Sequence, residues 1–325
     1  MKYTNKLFLC LGLCLTVFLS GCNTANLFVP YKLDSDVSAF SITNHHTDVK
    51  IDSFASSLCV GNANISVNTS VNMTDATAAA LFDVNNANII YGKNIHERLA
   101  PASITKILTA LVALEEGNLE DIITVTKDAK ITESGATLCG LKEGDTLTLN
   151  QALHALLIHS ANDAANAIAI HLGGSLEGFS AMMNAKATEL GATNSHFVNP
   201  HGLTADDHYT TVYDLYLIFN KVIQYELFRE IIHMDNYSTV YQDKNGNEKE
   251  MKFKTTNLFL RGSYESPNKV TVIGGKTGTT NAAGNCLIIL SKDAAGNPYI
   301  SVILRSKERQ LMYDQMIDLL EEIYN

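Results

Sequence analysis

The sequence predicts an α+β body: one antiparallel sheet covered by helices, with a mostly helical lobe inserted in its middle. Three observations predict it. Short runs rich in β-branched and other apolar residues gather at the two ends of the body: Ala80–Val84 and Ile89–Tyr91 early, then Val270–Ile273, Leu287–Leu290 and Tyr299–Leu304 late. Long segments with apolar residues at helical spacing fill the space between them. A last amphipathic segment, Arg309–Ile323, closes the chain and suits packing against the sheet better than lying on a membrane, because Asp314, Asp318, Glu321 and Glu322 would face an anionic surface. Pairing the early hairpin with the late strands joins the two ends into one layer.

The chain begins with a targeting segment. Lys2 and Lys6 form a positive start, and Leu7–Leu19 is a 13-residue apolar run, short of the roughly 18 residues that a membrane span needs. The run ends in Leu19-Ser20-Gly21-Cys22, which resembles a bacterial lipoprotein cleavage site. That resemblance implies removal of residues 1–21 as a signal peptide, lipid attachment to Cys22, and work outside the cytoplasmic membrane. Residues 22–74, rich in Asn, Ser, Thr and Asp, read as a polar tether, and residues 75–325 as the globular body.

Inside the body the elements follow in order. Ala80–Val84 and Ile89–Tyr91, separated by Asn85–Asn88, read as a hairpin. Ile107–Glu115 continues a helix that Pro101 opens. Ile122–Thr126 is a short strand, and Gly135–Gly144 a loop with several glycines. Leu149–Ile158 and Ala161–Leu172 are helices that meet at His159-Ser160; Leu176–Leu190 is another, and Thr210–Ile232 holds one or two more.

Composition narrows the function. With 46% hydrophobic and 18% charged residues the chain is an ordinary globular protein. Its net charge of −10 would become −12 on loss of Lys2 and Lys6, and no basic patch points to nucleic acid. Once Cys10 and Cys14 leave and Cys22 takes lipid, Cys59, Cys139 and Cys286 remain. These three allow at most one disulfide and have no zinc spacing. No H-E-x-x-H is present, and His154 and His159, five apart, miss one face of an α-helix. No metal and no cofactor are expected.

The chemistry is carried by three short motifs. Ser103-Ile104-Thr105-Lys106 places a hydroxyl and an amine one helical turn apart, a nucleophile beside a base. A second Ser-x-x-Lys, Ser266–Lys269, has Pro267 after its serine, which keeps Ser266 out of a helix. Ser160-Ala161-Asn162 falls at the junction of two helices, and Lys276-Thr277-Gly278-Thr279 follows the strand Val270–Ile273. Ser-x-Asn alone is weak, since Ser66–Asn68 and Ser70–Asn72 also match it. The ordered set of three is specific. A solvated lysine is protonated near neutral pH, so Lys106 needs burial and a nearby second cation, Lys276, to serve as a base.

At these residues the chain resembles the serine-type D-Ala-D-Ala carboxypeptidases, the low-molecular-mass penicillin-binding proteins. The likeness extends to Leu81-Phe82-Asp83, Tyr91–Asn94, Gly140–Asp145, Phe197–Leu203, Thr256–Leu258 and Lys276–Gly284. It implies a β-lactamase/transpeptidase-like fold. Many members of the family also carry a C-terminal β-domain followed by an amphipathic membrane anchor; no C-terminal β-domain is expected in this chain, a departure that would move anchoring to the N-terminal lipid. The resemblance implies removal of the terminal D-alanine from peptidoglycan stem peptides and binding of β-lactam inhibitors. Catalysis would rest on Ser103, Lys106 and Ser160. Asn162, Lys276, Thr277, Gly278 and Thr279 would bind substrate, and the N–H groups of Ser103 and Thr279 would receive the oxyanion. Two rivals share parts of the pattern. A class A β-lactamase also needs a deacylating glutamate in Glu-x-x-Leu-Asn; Glu189–Asn194 does not fit it. A penicillin-binding sensor would use the same residues without turnover.

Overall fold

The computed structural model describes residues 42–44, 47–49, 55–61, 65–66 and 71–324. Two compact units are present, Met1–Phe54 and Ala55–Asn325. In the first, β1 (Ile42–Asn44) pairs antiparallel with β2 (Thr47–Val49). The expected signal peptide, Cys22 and most of the expected tether lie outside the described residues. Residues 55–61 and 65–66, from the stretch read as a tether, belong to the second unit. There β3 (Ile65–Ser66) adds to a sheet edge, and the Cys59 N–H donates to the Tyr216 hydroxyl at 2.9 Å.

The second unit is built on a six-stranded antiparallel sheet. The early hairpin is β4 (Ala76–Asp83) and β5 (Asn88–Lys93). A 3-10 turn, Ala102–Thr105, leads into α1 (Lys106–Glu116), followed by β6 (Ile122–Thr124) and β7 (Thr146–Thr148). Next come α2 (Leu149–His154), α3 (Asn162–Gly173), α4 (Leu176–Glu189), α5 (Val212–Val222) and α6 (Glu226–His233). A hairpin of β8 (Asn236–Gln242) and β9 (Glu248–Lys254) precedes the late strands β10 (Thr271–Thr280), β11 (Gly284–Lys292) and β12 (Pro298–Ser306). Helix α7 (Arg309–Glu321) closes the chain.

The strand order is β10-β11-β12-β4-β5-β3. Strand β12 lies antiparallel to β4, with Val302 opposite Ala80, so the two ends of the body do form one layer. The strands read as continuous apolar runs because both faces of the sheet are buried. Ala80, Phe82, Ile288 and Val302 face the helical lobe, where Phe82 stacks on Tyr216 of α5 at 4.2 Å. Ala79, Leu81, Leu287 and Ile289 face the other way, against Met312, Tyr313 and Met316 of α7. Strand β10 is an edge of this sheet.

Two features differ from the sequence reading. The chain between α6 and β10 carries the β8–β9 hairpin, which joins β6 and β7 in a second, four-stranded sheet. Its turn is closed by Asp243, whose carboxylate accepts the N–H groups of Asn245 and Asn247 at 2.9 Å each. The helix that begins with α2 ends in a π-turn, Ala155–His159. That wider turn brings His154 and His159 to the same hairpin: His154 stacks on Tyr237 and His159 on Phe253, which are register partners. Five residues miss one face only in an α-helix. Cys59, Cys139 and Cys286 are all free thiols.

Candidate active site

Ser103 sits in the 3-10 turn, and Lys106 opens α1 directly behind it. The turn is held tightly. Ala102 adopts φ +47°, in the left-handed region that a residue with a Cβ enters at a cost. Gly202 presses on its carbonyl so closely that a side chain there would collide with it. The segment around Gly202 is tied to α1 and its entry. The Thr109 hydroxyl donates to the Pro200 carbonyl at 2.6 Å, and Thr105 Oγ1 meets His208 Nε2 at 2.9 Å. His208 Nδ1 accepts the Val198 N–H, so Nε2 carries the hydrogen. These ties deliver the His201 carbonyl to Lys106.

Lys106 is completely buried, and its Nζ has three neighbours: Asn162 Oδ1 at 2.7 Å, the His201 carbonyl at 2.7 Å and Ser103 Oγ at 2.8 Å. Burial, followed by the charge of Lys276, holds its pKa well below the usual lysine range, against the pull of Asp163. The His201 imidazole is pushed down to about 3 by burial and by Lys106, and so adds no charge.

Ser160 and Lys276 form the second half. Ser160 ends the π-turn in the left-handed conformation, φ +65°, which points its side chain out of the helix path toward β10. Lys276 Nζ donates to Ser160 Oγ and to the Thr277 carbonyl, each at 2.9 Å. Burial lowers the Lys276 pKa to about 7. Thr277 Oγ1 donates to Thr256 Oγ1 at 2.6 Å. Thr279 Oγ1 donates to Asn285 Oδ1 at 3.3 Å, and Asn285 in turn grips the carbonyls of Ser306 and Lys307. Gly278 lets β10 lie against the nucleophile turn: a Cβ there would stand 2.9 Å from the Ser103 nitrogen.

The structure thus brings Ser103, Lys106, Ser160, Asn162, Lys276, Thr277, Gly278 and Thr279 into one site. Cys22 lies outside the described residues. Three further residues gain a role from the geometry; two of them, His201 and Thr256, lie in stretches that already carried the resemblance, Phe197–Leu203 and Thr256–Leu258. The His201 carbonyl is a backbone group, invisible to any side-chain motif. Thr256 braces Thr277 from across the sheet edge. Asp163, 3% exposed, accepts the N–H groups of Cys139, Gly140, Leu141 and Ala164 and so ties the loop before the site to the start of α3. The one signal for Asp163 was its place directly after Ser160-Ala161-Asn162.

Comparison with known proteins gives the family of the chain. Residues 65–308 match the peptidase S11 family, D-alanyl-D-alanine carboxypeptidase. The D-alanyl-D-alanine carboxypeptidase DacF of Bacillus subtilis is 32% identical over 251 residues, 75% of this chain and 61% of that protein. DacC of Escherichia coli is 32% identical over 255 residues, 76% and 60% respectively. The chain therefore spans about three fifths of the length of these curated relatives. Among solved structures, the Streptomyces K15 DD-transpeptidase superposes with a TM-score of 0.72 at 27% identity, covering 78% of this chain and 98% of that one. A D-alanyl-D-alanine carboxypeptidase from Mycobacterium tuberculosis H37Rv gives 0.69 at 28% identity, covering 79% and 93%.

Proposed function

This chain belongs to the D-alanyl-D-alanine carboxypeptidase family, and from that premise we propose that it removes the terminal D-alanine from peptidoglycan stem peptides through an acyl-enzyme on Ser103. One observation carries the reading: the hydrogen-bond arithmetic at Lys106. A neutral amine has two N–H donors and one lone pair. Two of its three neighbours, Asn162 Oδ1 and the His201 carbonyl, can only accept. When the amine is neutral they take both hydrogens and leave the lone pair for Ser103, whose hydroxyl turns from accepting the Nζ hydrogen to giving its own. Burial lowers the Lys106 pKa and so favours that neutral form, which sets a base beside the serine.

The steps follow from the positions. Ser103 Oγ attacks the carbonyl of the penultimate D-alanine as its proton passes to Lys106. The N–H groups of Ser103 and Thr279 receive the oxyanion. The C–N bond then breaks, and a proton relayed through Ser160 goes to the departing D-alanine nitrogen. Water next attacks the ester and restores Ser103. The substrate adds along the open edge of β10, Gly278 permitting the approach. Lys276 holds the terminal carboxylate, joined by the Thr277 and Thr279 hydroxyls as their hydrogens turn from Thr256 and Asn285, and Asn162 binds the acyl donor's amide. A β-lactam enters by the same attack.

The test is intact mass after penicillin, with D-alanine release measured from a pentapeptide. The wild type gains one penicillin mass and releases D-alanine; Ser103→Ala does neither. A Ser103→Ala protein that still takes the adduct would make the nucleophile wrong, and an adduct without any D-alanine release would favour a sensor. The protein works outside the cytoplasmic membrane, held by lipid on Cys22 after cleavage of residues 1–21. The sequence Leu19-Ser20-Gly21-Cys22 supports that reading. Cys22→Ala should move the protein from the membrane fraction to the soluble one; membrane retention would refute the anchor.

A further inference from the structure

The lip of the site beside Ser160 and Asn162 is a loop whose backbone is held at five consecutive residues. The Thr137 carbonyl accepts the Asn162 N–H at 2.9 Å. The Leu138 carbonyl accepts the His159 Nε2 hydrogen at 3.1 Å. The N–H groups of Cys139, Gly140 and Leu141 converge on the Asp163 carboxylate at 3.0, 2.8 and 3.0 Å. Gly140, at φ +89°, supplies the turn that lets three successive N–H groups meet one anion. The second of the five is Leu138, with 41% of its surface exposed. A lone exposed leucine is ordinary. This one differs because its backbone is fastened on both sides to residues of the site, so its side chain is presented in a fixed place.

We infer that Leu138 is a specificity-determining residue, an apolar wall for the arm that an acyl donor carries on the far side of its reacting carbonyl. The inference rests on the proposed function. Asn162 meets the acyl donor's amide in that reading, and its own N–H holds Thr137, the residue before Leu138. An arm leaving that amide away from the β10 edge therefore runs along Leu138. The class of substrate favoured is an acyl donor with a long polymethylene or aromatic arm, such as a stem peptide whose third residue has a methylene chain.

The test compares two acylating compounds that differ only in the arm. Benzylpenicillin carries an aromatic arm, and 6-aminopenicillanic acid carries none. Their second-order acylation rates give a ratio for the wild type, for Leu138→Asn and for Leu138→Met. The ratio of benzylpenicillin to 6-aminopenicillanic acid should fall about tenfold in Leu138→Asn and return to within about twofold of wild type in Leu138→Met. An unchanged ratio in Leu138→Asn, whether or not both rates fall, overturns the wall and leaves the function standing. If neither compound labels the wild type at Ser103, the function itself falls and the wall with it.

Discussion

Helix α1 and strand β10 each deliver one fully buried lysine to the same site, and each surrounds it differently. Lys106 is enclosed by two obligate acceptors and one hydroxyl, so that on losing a proton its lone pair can face only the hydroxyl. Lys276 has one hydroxyl and one carbonyl, which leaves a hydrogen of its ammonium form for a ligand oxygen. Both are lowered by burial, but Lys106 also feels the charge of Lys276. Desolvation alone therefore does not make a base. In the proposed mechanism, the placement of the partners decides which lysine removes a proton and which holds a carboxylate.

The widest break in that comparison is Lys106→Met, which removes the base but keeps the length of the side chain. Acylation by penicillin should fall by about 10³-fold or more, read as the second-order rate of adduct formation. A loss under tenfold would mean that some other group takes the Ser103 proton. A smaller effect sharpens the role of Lys276. It must be charged to hold a carboxylate, and its free-enzyme pKa is about 7, so kcat/KM should fall as pH rises above about 7. The acid limb belongs to Lys106, which must lose its proton. Lys276→Arg should cost about tenfold and erase the alkaline limb, because guanidinium stays charged. An alkaline limb that survives in Lys276→Arg would assign it elsewhere.

The same contrast shows what a sequence can convey. The sheet was legible because β4, β11 and β12 are buried on both faces and so read as unbroken apolar runs. The β8–β9 hairpin was not, since its strands are half exposed and mix Tyr, Ser, Glu and Lys. The alternation of Tyr237, Thr239 and Tyr241 with the Asp243–Gly246 turn was its only signal. In the site, each side chain that reacts or binds lay in a short motif with its own spacing. What holds those side chains is spread through the chain: a carbonyl at His201, a carboxylate at Asp163 and a hydroxyl at Thr256. Spacing does not give what they hold: the resemblance reached the stretches around His201 and Thr256, and Asp163 was marked only by its place after the second motif.

The π-turn at Ala155–His159 keeps the helix in phase while absorbing one extra residue. An α-helix rotates by about 100° for each residue, and a π-turn takes up one residue more than an α-turn before handing on the chain. Removing a single residue between Thr148 and Ser160 would heal the turn into plain α-helix and leave Ser160 facing nearly the same way, since four α-helical residues sweep about the same angle as the five of the π-turn. This stretch therefore absorbs a residue inside a buried helix, whereas the Asp243–Asn247 turn absorbs one at the exposed tip of its hairpin. Insertions and deletions can accumulate at that tip, while the register between the second motif and the third stays locked.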